Sequence, residues 1–143
     1  MKKFAFAILA FVMVASVQAK NSDIKIAYDS IPAAAQKFIS TNFDGVSVKK
    51  AISGLDDDLT IYTVTLRNKT VIEFDMTGAW NSINVTKKGL MPRFVVPDKV
   101  QETIDGRFGD KKVMQYETDG FEYTVKFTDG SDVKINANGI VKD

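Results

Sequence analysis

The stretch from Tyr62 to Val85 constrains the fold most, because it carries the pattern of three consecutive antiparallel strands. Apolar residues occupy every second position from 62 to 66 and again from 72 to 76. This period of two is typical of strands that bury one face. Asn68-Lys69 suits a two-residue hairpin turn, and Gly78 suits the turn before the last strand. The stretch therefore predicts a β-meander.

A weaker copy of the same pattern follows later in the chain. Before each set of strands, apolar residues recur every four positions, as on one buried helical face. They are Ile31, Ala35, Ile39 and Phe43 in the first copy and, 65 positions later, Val96, Val100, Ile104 and Phe108. At an offset of 61, Tyr62, Val64, Leu66 and Gly78 correspond to Tyr123, Val125, Phe127 and Gly139. The matched positions predict a duplication.

The duplication predicts an α+β fold of two tandem repeats, each with one helix followed by four antiparallel strands. Repeat 1 spans residues 30–86, a connector spans 87–95 and repeat 2 spans 96–143, with a leader over 20–29. A single copy of about 50–60 residues buries too little surface to be more than marginally stable. We therefore expect the two sheets to join edge to edge, with the helices on one face, which also covers a strand edge.

The N-terminus has the features of a bacterial secretory signal. Lys2 and Lys3 precede the apolar segment 4–14, and Ala19 ends a cleavage site, so residues 1–19 are a predicted signal peptide. We expect a periplasmic or secreted protein that has no integral membrane segment after cleavage. Removing the two lysines from the 19 basic residues leaves 17 against 18 acidic residues, a net charge of −1. This balance does not favour binding to nucleic acid.

One segment resembles a known family. Val71-Ile72-Glu73-Phe74-Asp75 followed by Gly78-Ala79-Trp80 is similar to the hairpin signature of the PepSY-like proteins, which are grouped with the β-lactamase-inhibitor-protein fold. The helix starts Ile31-Pro32 and Val96-Pro97 fit the same pattern. The resemblance implies two αβ repeats, helices on one side and a concave eight-stranded sheet. Val141 stands where the second repeat would carry the signature Trp.

In the inhibitor that names the fold, the concave face binds an enzyme. This chain has no cysteine, whereas the inhibitor carries disulfides, and it has no matching inhibitory loop. Lactamase inhibition is therefore not carried over to this chain. The resemblance implies an extracytoplasmic binding role with an open target.

The composition argues against an enzyme. The chain has no histidine and no cysteine, which excludes Ser-His and Cys-His catalysis and leaves zinc without its usual ligands. We expect no cofactor and no metal site. The run Asp56-Asp57-Asp58 has oxygen ligands suitable for calcium, but it lacks the ligand spacing of an EF-hand and is interpreted as a solvated loop.

The polar face of the sheet is the predicted partner-binding surface. Alternation along the strands assigns most of its members, and large aromatic side chains there supply contact area at small entropic cost. The candidates are Trp80, Glu73, Thr65, Thr63, Tyr116, Thr124, Lys126 and Lys134. Tyr116 joins them only if Val113 faces the helix, and Trp80 can equally pack against the neighbouring repeat.

The sequence thus predicts an exported, non-enzymatic binding module. It would dock on an unknown protein or peptide, such as an exported enzyme, and restrain it through the concave sheet. The alternatives are a structural or envelope-stress protein without an enzyme target, and a binder of a small ligand or calcium.

Overall fold

A computed structural model describes residues 23–142, so the predicted signal peptide lies outside the described residues. Two α-helices and nine strands make up this part of the chain, with a single 3-10 turn at Tyr28–Ser30. In order they are β1 (Ile24–Ile26), α1 (Ala33–Asn42), β2 (Val48–Asp56), β3 (Leu59–Leu66), β4 (Val71–Phe74), β5 (Trp80–Asn84), α2 (Asp98–Arg107), β6 (Val113–Thr118), β7 (Glu122–Phe127), β8 (Asp132–Asn136) and β9 (Val141–Lys142).

The nine strands form one open antiparallel sheet in chain order, from β1 at one edge to β9 at the other. This confirms the predicted α+β class. β5 pairs directly with β6, where Ile83 lies opposite Tyr116, so the strands before and after the connector belong to one sheet. Both strand edges at this junction are therefore hydrogen-bonded.

The expectation of eight strands is wrong, because the predicted leader contributes β1. Lys25 lies opposite Ile52 on β2. A strand of three residues is too short for a period of two to be recognised in its sequence. β1 forms because the edge of β2 offers free backbone hydrogen-bonding groups.

Both helices lie on the same face of the sheet. Ile72, Ile83, Tyr116 and Val125 are direct partners across β4 to β7 and therefore point to the same side. The first two pack with Ala35 and Ile39 of α1, and the last two pack with Val100 and Ile104 of α2. We call this side the helix face.

The opposite side, here called the open face, carries a row of directly paired residues. The row comprises Thr63, Glu73, Ser82, Glu117, Thr124 and Lys134. A second row comprises Thr65, Val71, Asn84, Gln115, Lys126 and Asp132. Neither helix packs on these rows.

Within residues 23–142, neither helix has the length and apolarity needed to cross a membrane.

Two apolar clusters fill the space between the helices and the sheet. One is centred on Phe74 and Leu66 below α1, and the other on Phe127 below α2. Trp80, together with Met91 of the connector, packs against both clusters. The connector and the first residue of β5 therefore hold the two halves of the core together.

Candidate binding surface on the open face of the sheet

Six of the eight predicted site residues lie on the open face, in the two rows defined above. They are Thr63, Thr65, Glu73, Thr124, Lys126 and Lys134. They come from four strands of both halves of the chain, and the antiparallel register brings them onto one surface. Whether they bind a partner stays a prediction.

Trp80 lies on the helix face, which corrects its assignment by alternation to the open face. Glu73 pairs with Ser82, but Phe74 pairs with Trp80, so Asn81 is an extra residue that forms a β-bulge. The bulge shifts the parity by one, and the indole packs between Phe38 of α1 and the second cluster. Trp80 was expected either on the open face or packed against the neighbouring repeat, and the structure shows the second arrangement.

Tyr116 is also wrongly assigned to the open face. Val113 pairs with Phe127 and Gln115 pairs with Lys126, so Met114 is the extra residue of a second bulge. Because the bulge reverses parity, Val113 and Tyr116 both face the helix, and Tyr116 is buried in the second cluster. The residues that β6 presents to the open face are Gln115 and Glu117.

The sequence carries a signal for these bulges that strict alternation overlooks. In each case two apolar residues of the helix face are three positions apart instead of two or four. The pairs are Trp80 and Ile83, Val113 and Tyr116, and Val48 and Ala51, where Lys49 forms a third bulge. An apolar i, i+3 spacing within a strand therefore predicts a bulge.

Among the polar residues of the open face that the sequence reasoning did not select are four neighbours: Ser82, Asn84, Gln115 and Glu117. They form a hydrogen-bonded chain. Asn84 Nδ2 donates to Gln115 Oε1 at 3.4 Å. Gln115 Nε2 donates to Ser82 Oγ at 3.4 Å and to Glu117 Oε2 at 3.0 Å. The chain fixes the orientation of the Glu117 carboxylate across the junction of β5 and β6.

Glu117 is the most buried charged residue of this surface, with 1% of its area exposed. Its Oε2 lies 3.2 Å from Lys126 Nζ. Its Oε1 is buried and accepts no hydrogen bond from the described residues. Burial raises the pKa of Glu117, and Lys126 opposes the increase. One oxygen is thus satisfied, while the other is buried without a hydrogen-bond donor.

Glu73 lies on the other side of Ser82 and is 6% exposed. Within residues 23–142 no group donates a hydrogen bond to its carboxylate, and no lysine or arginine pairs with it. Burial is the main cause that raises the pKa of Glu73 to about 7, and the charges of Glu117 and Asp56 add to the increase. Ionising this carboxylate without a partner is unfavourable because its charge loses hydration.

The acidic run 56–58 has a structural role in a turn. Asp56 pairs with Leu59 at the end of β2, and Asp57 and Asp58 have positive φ angles of 52° and 65°. Asp is among the residues that tolerate this left-handed conformation in two-residue hairpin turns. In the part of the chain that the structure describes, no three acidic, histidine or cysteine side chains are grouped so as to hold a metal ion.

A cleft lies on the helix side of the sheet. Its walls come from the connector at Met91 and Arg93, from α2 at Ile104, and from Tyr116. Arg93 pairs with Asp105 at the rim. Its volume of about 210 Å³ is below the roughly 300–1,000 Å³ of typical ligand pockets. The open face is therefore the better candidate surface.

Comparison with known proteins agrees with this geometry. A family described as putative beta-lactamase-inhibitor-like, PepSY-like, matches residues 60–143. The chain belongs to this family. No curated protein matches the chain.

Solved structures from Bacteroides have the same fold. A putative periplasmic protein of the DUF2874 family from Bacteroides vulgatus is 31% identical, with a TM-score of 0.77 over 85% of this chain and 94% of that one. A putative calcium-regulated periplasmic protein from Bacteroides thetaiotaomicron is 27% identical, with a TM-score of 0.78 over 85% and 94%. A second Bacteroides vulgatus protein of unknown function, 21% identical, has a TM-score of 0.79 over 85% and 97%.

The descriptions of these relatives concern the cellular compartment in which this PepSY-like protein is found. All three are described as periplasmic. The predicted export of a bacterial protein to the periplasm is confirmed.

Proposed function

We propose that this PepSY-like protein is a non-enzymatic binding module that docks on a periplasmic protein or peptide through its open face. One observation carries the proposal. Neither helix covers the open face, yet it holds two largely buried glutamates with unused hydrogen-bonding capacity. Glu73 makes no hydrogen bond within the described residues, and Oε1 of Glu117 is buried without one. Buried polar groups without partners are destabilising, so their presence on an uncovered surface indicates that a ligand completes them.

The docking would restrain its partner sterically. The face is built from paired strands, which hold their side chains rigidly and bind with little loss of conformational entropy. The absence of histidine and cysteine supports a role without nucleophilic catalysis. A partner that is an exported enzyme would be blocked when the sheet covers its active-site entrance.

Site-specific photo-cross-linking tests the docking surface. A photoreactive amino acid is introduced at Thr65 or Thr124 on the open face, and at the exposed Glu102 of α2 as the control. We expect one periplasmic protein to be linked from both open-face positions and not from position 102. Linking from position 102 alone, or from no position, would contradict the proposal.

A calcium-responsive role is the second candidate. The description of the Bacteroides thetaiotaomicron relative suggests it, and the carboxylates of the turn 56–58 favour it. A ligand that binds the native state raises its melting temperature by mass action. Melting the protein over a calcium series, with Asp58→Asn as the comparison, tests this role, and a constant melting temperature would reject it.

We also propose that the two halves, residues 30–86 and 96–143, are duplicated units. The same backbone hydrogen bonds at equivalent positions support this. The end of α1 is closed by Phe43 N–H donating to Ile39 at 2.8 Å, and the end of α2 by Phe108 N–H donating to Ile104 at 2.9 Å.

A further inference from the structure

The two buried glutamates of the open face have opposite surroundings. Glu117 receives Lys126 and Gln115 on one oxygen. Glu73 receives neither a cation nor a hydrogen-bond donor from the described residues, although both residues are more than nine-tenths buried. The surface therefore has a carboxyl group without a counter-charge at Glu73.

We propose that this site binds a basic side chain, the ammonium group of a lysine or the guanidinium group of an arginine, which the docked protein presents on an extended segment. Glu73 is its counter-charge. The inference rests on the function proposed above and adds the chemistry of the recognised group.

The register places the required acceptors around one point. Glu73 lies directly between Thr63 on β3 and Ser82 on β5, and Glu117 lies on the far side of Ser82. Two strand spacings, roughly 10 Å, separate the Cα atoms of the two glutamates, so their side chains can approach one group above Ser82. Glu117 Oε1 has no donor but is itself buried, so the Glu73 carboxylate is the main contact for a docked cation, and Thr63 is its neighbour on the other side. These oxygens match the several N–H donors of an ammonium or guanidinium group.

A lysine or arginine side chain fits these acceptor oxygens better than a calcium ion does. Calcium takes six to eight oxygen ligands, most of them carboxylates or carbonyls. The described residues provide no group of three acidic side chains for a metal. A single ammonium group needs only one carboxylate and nearby hydroxyl oxygens.

The charges around Glu73 give the binding a pH dependence. Burial raises the pKa of Glu73 most, and the negative charges of Glu117 on β6 and Asp56 on β2 raise it further. The neighbouring strands β3 and β5 contribute the uncharged Thr63 and Ser82. Lys126 and Lys134 interact with Glu117 from β7 and β8. A bound cation favours the ionised carboxylate, so we expect affinity to increase as the pH rises through about 7.

A titration with matched peptides tests the inference. Residues 20–143 labelled with ¹⁵N are titrated at pH 8 with acetylated, amidated peptides Ala-Thr-Ala-X-Ala-Thr-Ala. X is lysine, arginine, norleucine or glutamate. We expect the lysine and arginine peptides to bind about tenfold or more tightly than the norleucine peptide, because norleucine cannot form the charged hydrogen bond. The shifted amide signals should be those of Glu73, Ser82 and Glu117.

Two variants with the same change of net charge separate the site from general electrostatics. Glu73→Gln keeps the shape and should remove the preference for lysine over norleucine. Glu102→Gln, on the exposed surface of α2, should leave it unchanged. Equal binding of the lysine and norleucine peptides, no binding of either basic peptide, or a response of the same amides to calcium chloride alone would overturn the inference.

The outcome is independent of the photo-cross-linking. Cross-links from Thr65 and Thr124 combined with a failed peptide titration would retain the docking surface and reject the cation site. Lysine-specific peptide binding without any cross-linked protein would reject the proposed protein partner and retain the cation site.

Discussion

The half of the sheet behind α1 and the half behind α2 share a scaffold but differ in the charge of the open face. In both halves an acidic or amide side chain organises the turn before the last strand. Asp75 Oδ1 accepts the backbone N–H groups of Thr77 and Ala79, and Asn136 Oδ1 accepts those of Asn138 and Ile140. The bulges at Lys49 and Met114 also occupy equivalent positions.

The difference lies at one equivalent pair. Glu73 of β4 is buried without a cation, whereas Lys134 of β8, 61 positions later, is exposed and interacts with Glu117. Residues of the turns and of the helix face therefore determine the backbone conformation in both halves. Residues of the open face can differ between the halves without changing that conformation. The folding constraints and the proposed binding chemistry thus lie on opposite sides of the same strands.

The largest expected effect is at the contact between the halves. Trp80→Ala should lower the free energy of unfolding by about 3 kcal/mol or more, because the indole packs with rings of both clusters. Its ring centroid is 6.4 Å from those of Phe38 and Tyr116, and 6.2 Å from that of Tyr123. Urea denaturation measures the loss.

The control for this substitution is Phe121→Ala, which removes a ring that is 76% exposed. It should change stability by less than about 0.5 kcal/mol. Equal losses for the two variants would show that the cores of the two halves do not depend on the Trp80 contact.

The next effect concerns two equivalent glycines. A Cβ at Gly78 would lie 2.9 Å from the Cβ of Ala34, and one at Gly139 would lie 2.6 Å from the carbonyl oxygen of Lys99. Both residues have positive φ, so alanine adds backbone strain to the clash. Gly78→Ala and Gly139→Ala should each cost about 2–4 kcal/mol.

Gly130 provides the matched comparison, because it has φ of +93° but no atom within 4 Å of a Cβ. Gly130→Ala should cost only the strain, about 1 kcal/mol. Thermal melting of the three variants checks the order. If all three melt alike, helix packing against these turns does not contribute.

Glu73 and Lys134 test the electrostatic difference. Glu73 has a folded-state pKa raised to about 7, so its stabilising contribution is complete below the ordinary glutamate pKa and is lost as the pH rises through 7. Glu73→Gln should therefore match the parent protein at pH 4 and exceed it by about 2–3 kcal/mol at pH 8. Lys134→Gln should stay within about 0.5 kcal/mol at both.

Denaturation at pH 4, 6 and 8 measures this pair of variants. A gain for Glu73→Gln that is the same at every pH would mean that packing, and not ionisation, separates the two residues.

The smallest effect is expected at an exposed turn. Asp129 Oδ1 accepts the N–H of Ser131, as Asn68 Oδ1 accepts that of Thr70 in the first half. Lys111 and Ser131 hold the pKa of Asp129 below its usual range. Asp129→Asn keeps the turn bond and loses only a surface ion pair, so its melting temperature at pH 7 should be unchanged. A marked decrease would show that the ion pair with Lys111 stabilises the second half in a way the first does not need.

Sequence reasoning was most successful where the structure is local. The helical stripe of Ala35 and Ile39 and the alternation of Tyr62 to Leu66 each depend on neighbours within one element, and both lie where the periodicity places them. The antiparallel hairpins follow from the turn residues between them. Six of the eight candidate residues were assigned to the correct face for the same reason.

The residues that were misplaced or missed depend on contacts between distant segments. Trp80 and Tyr116 turn inward because bulges at Asn81 and Met114 change the pairing with neighbouring strands. Glu117 was missed because its burial is produced by the junction of β5 and β6, which no single stretch of sequence contains.

Spacing within short segments was enough to predict the export signal, the α+β class, the two helical stripes and the order of the hairpins. The ninth strand, the inward position of Trp80 and the burial of Glu73 beside Glu117 became evident only in the folded sheet. Edge pairing, bulges and desolvation are properties of several strands in contact, and their free energies appear only once the sheet has assembled.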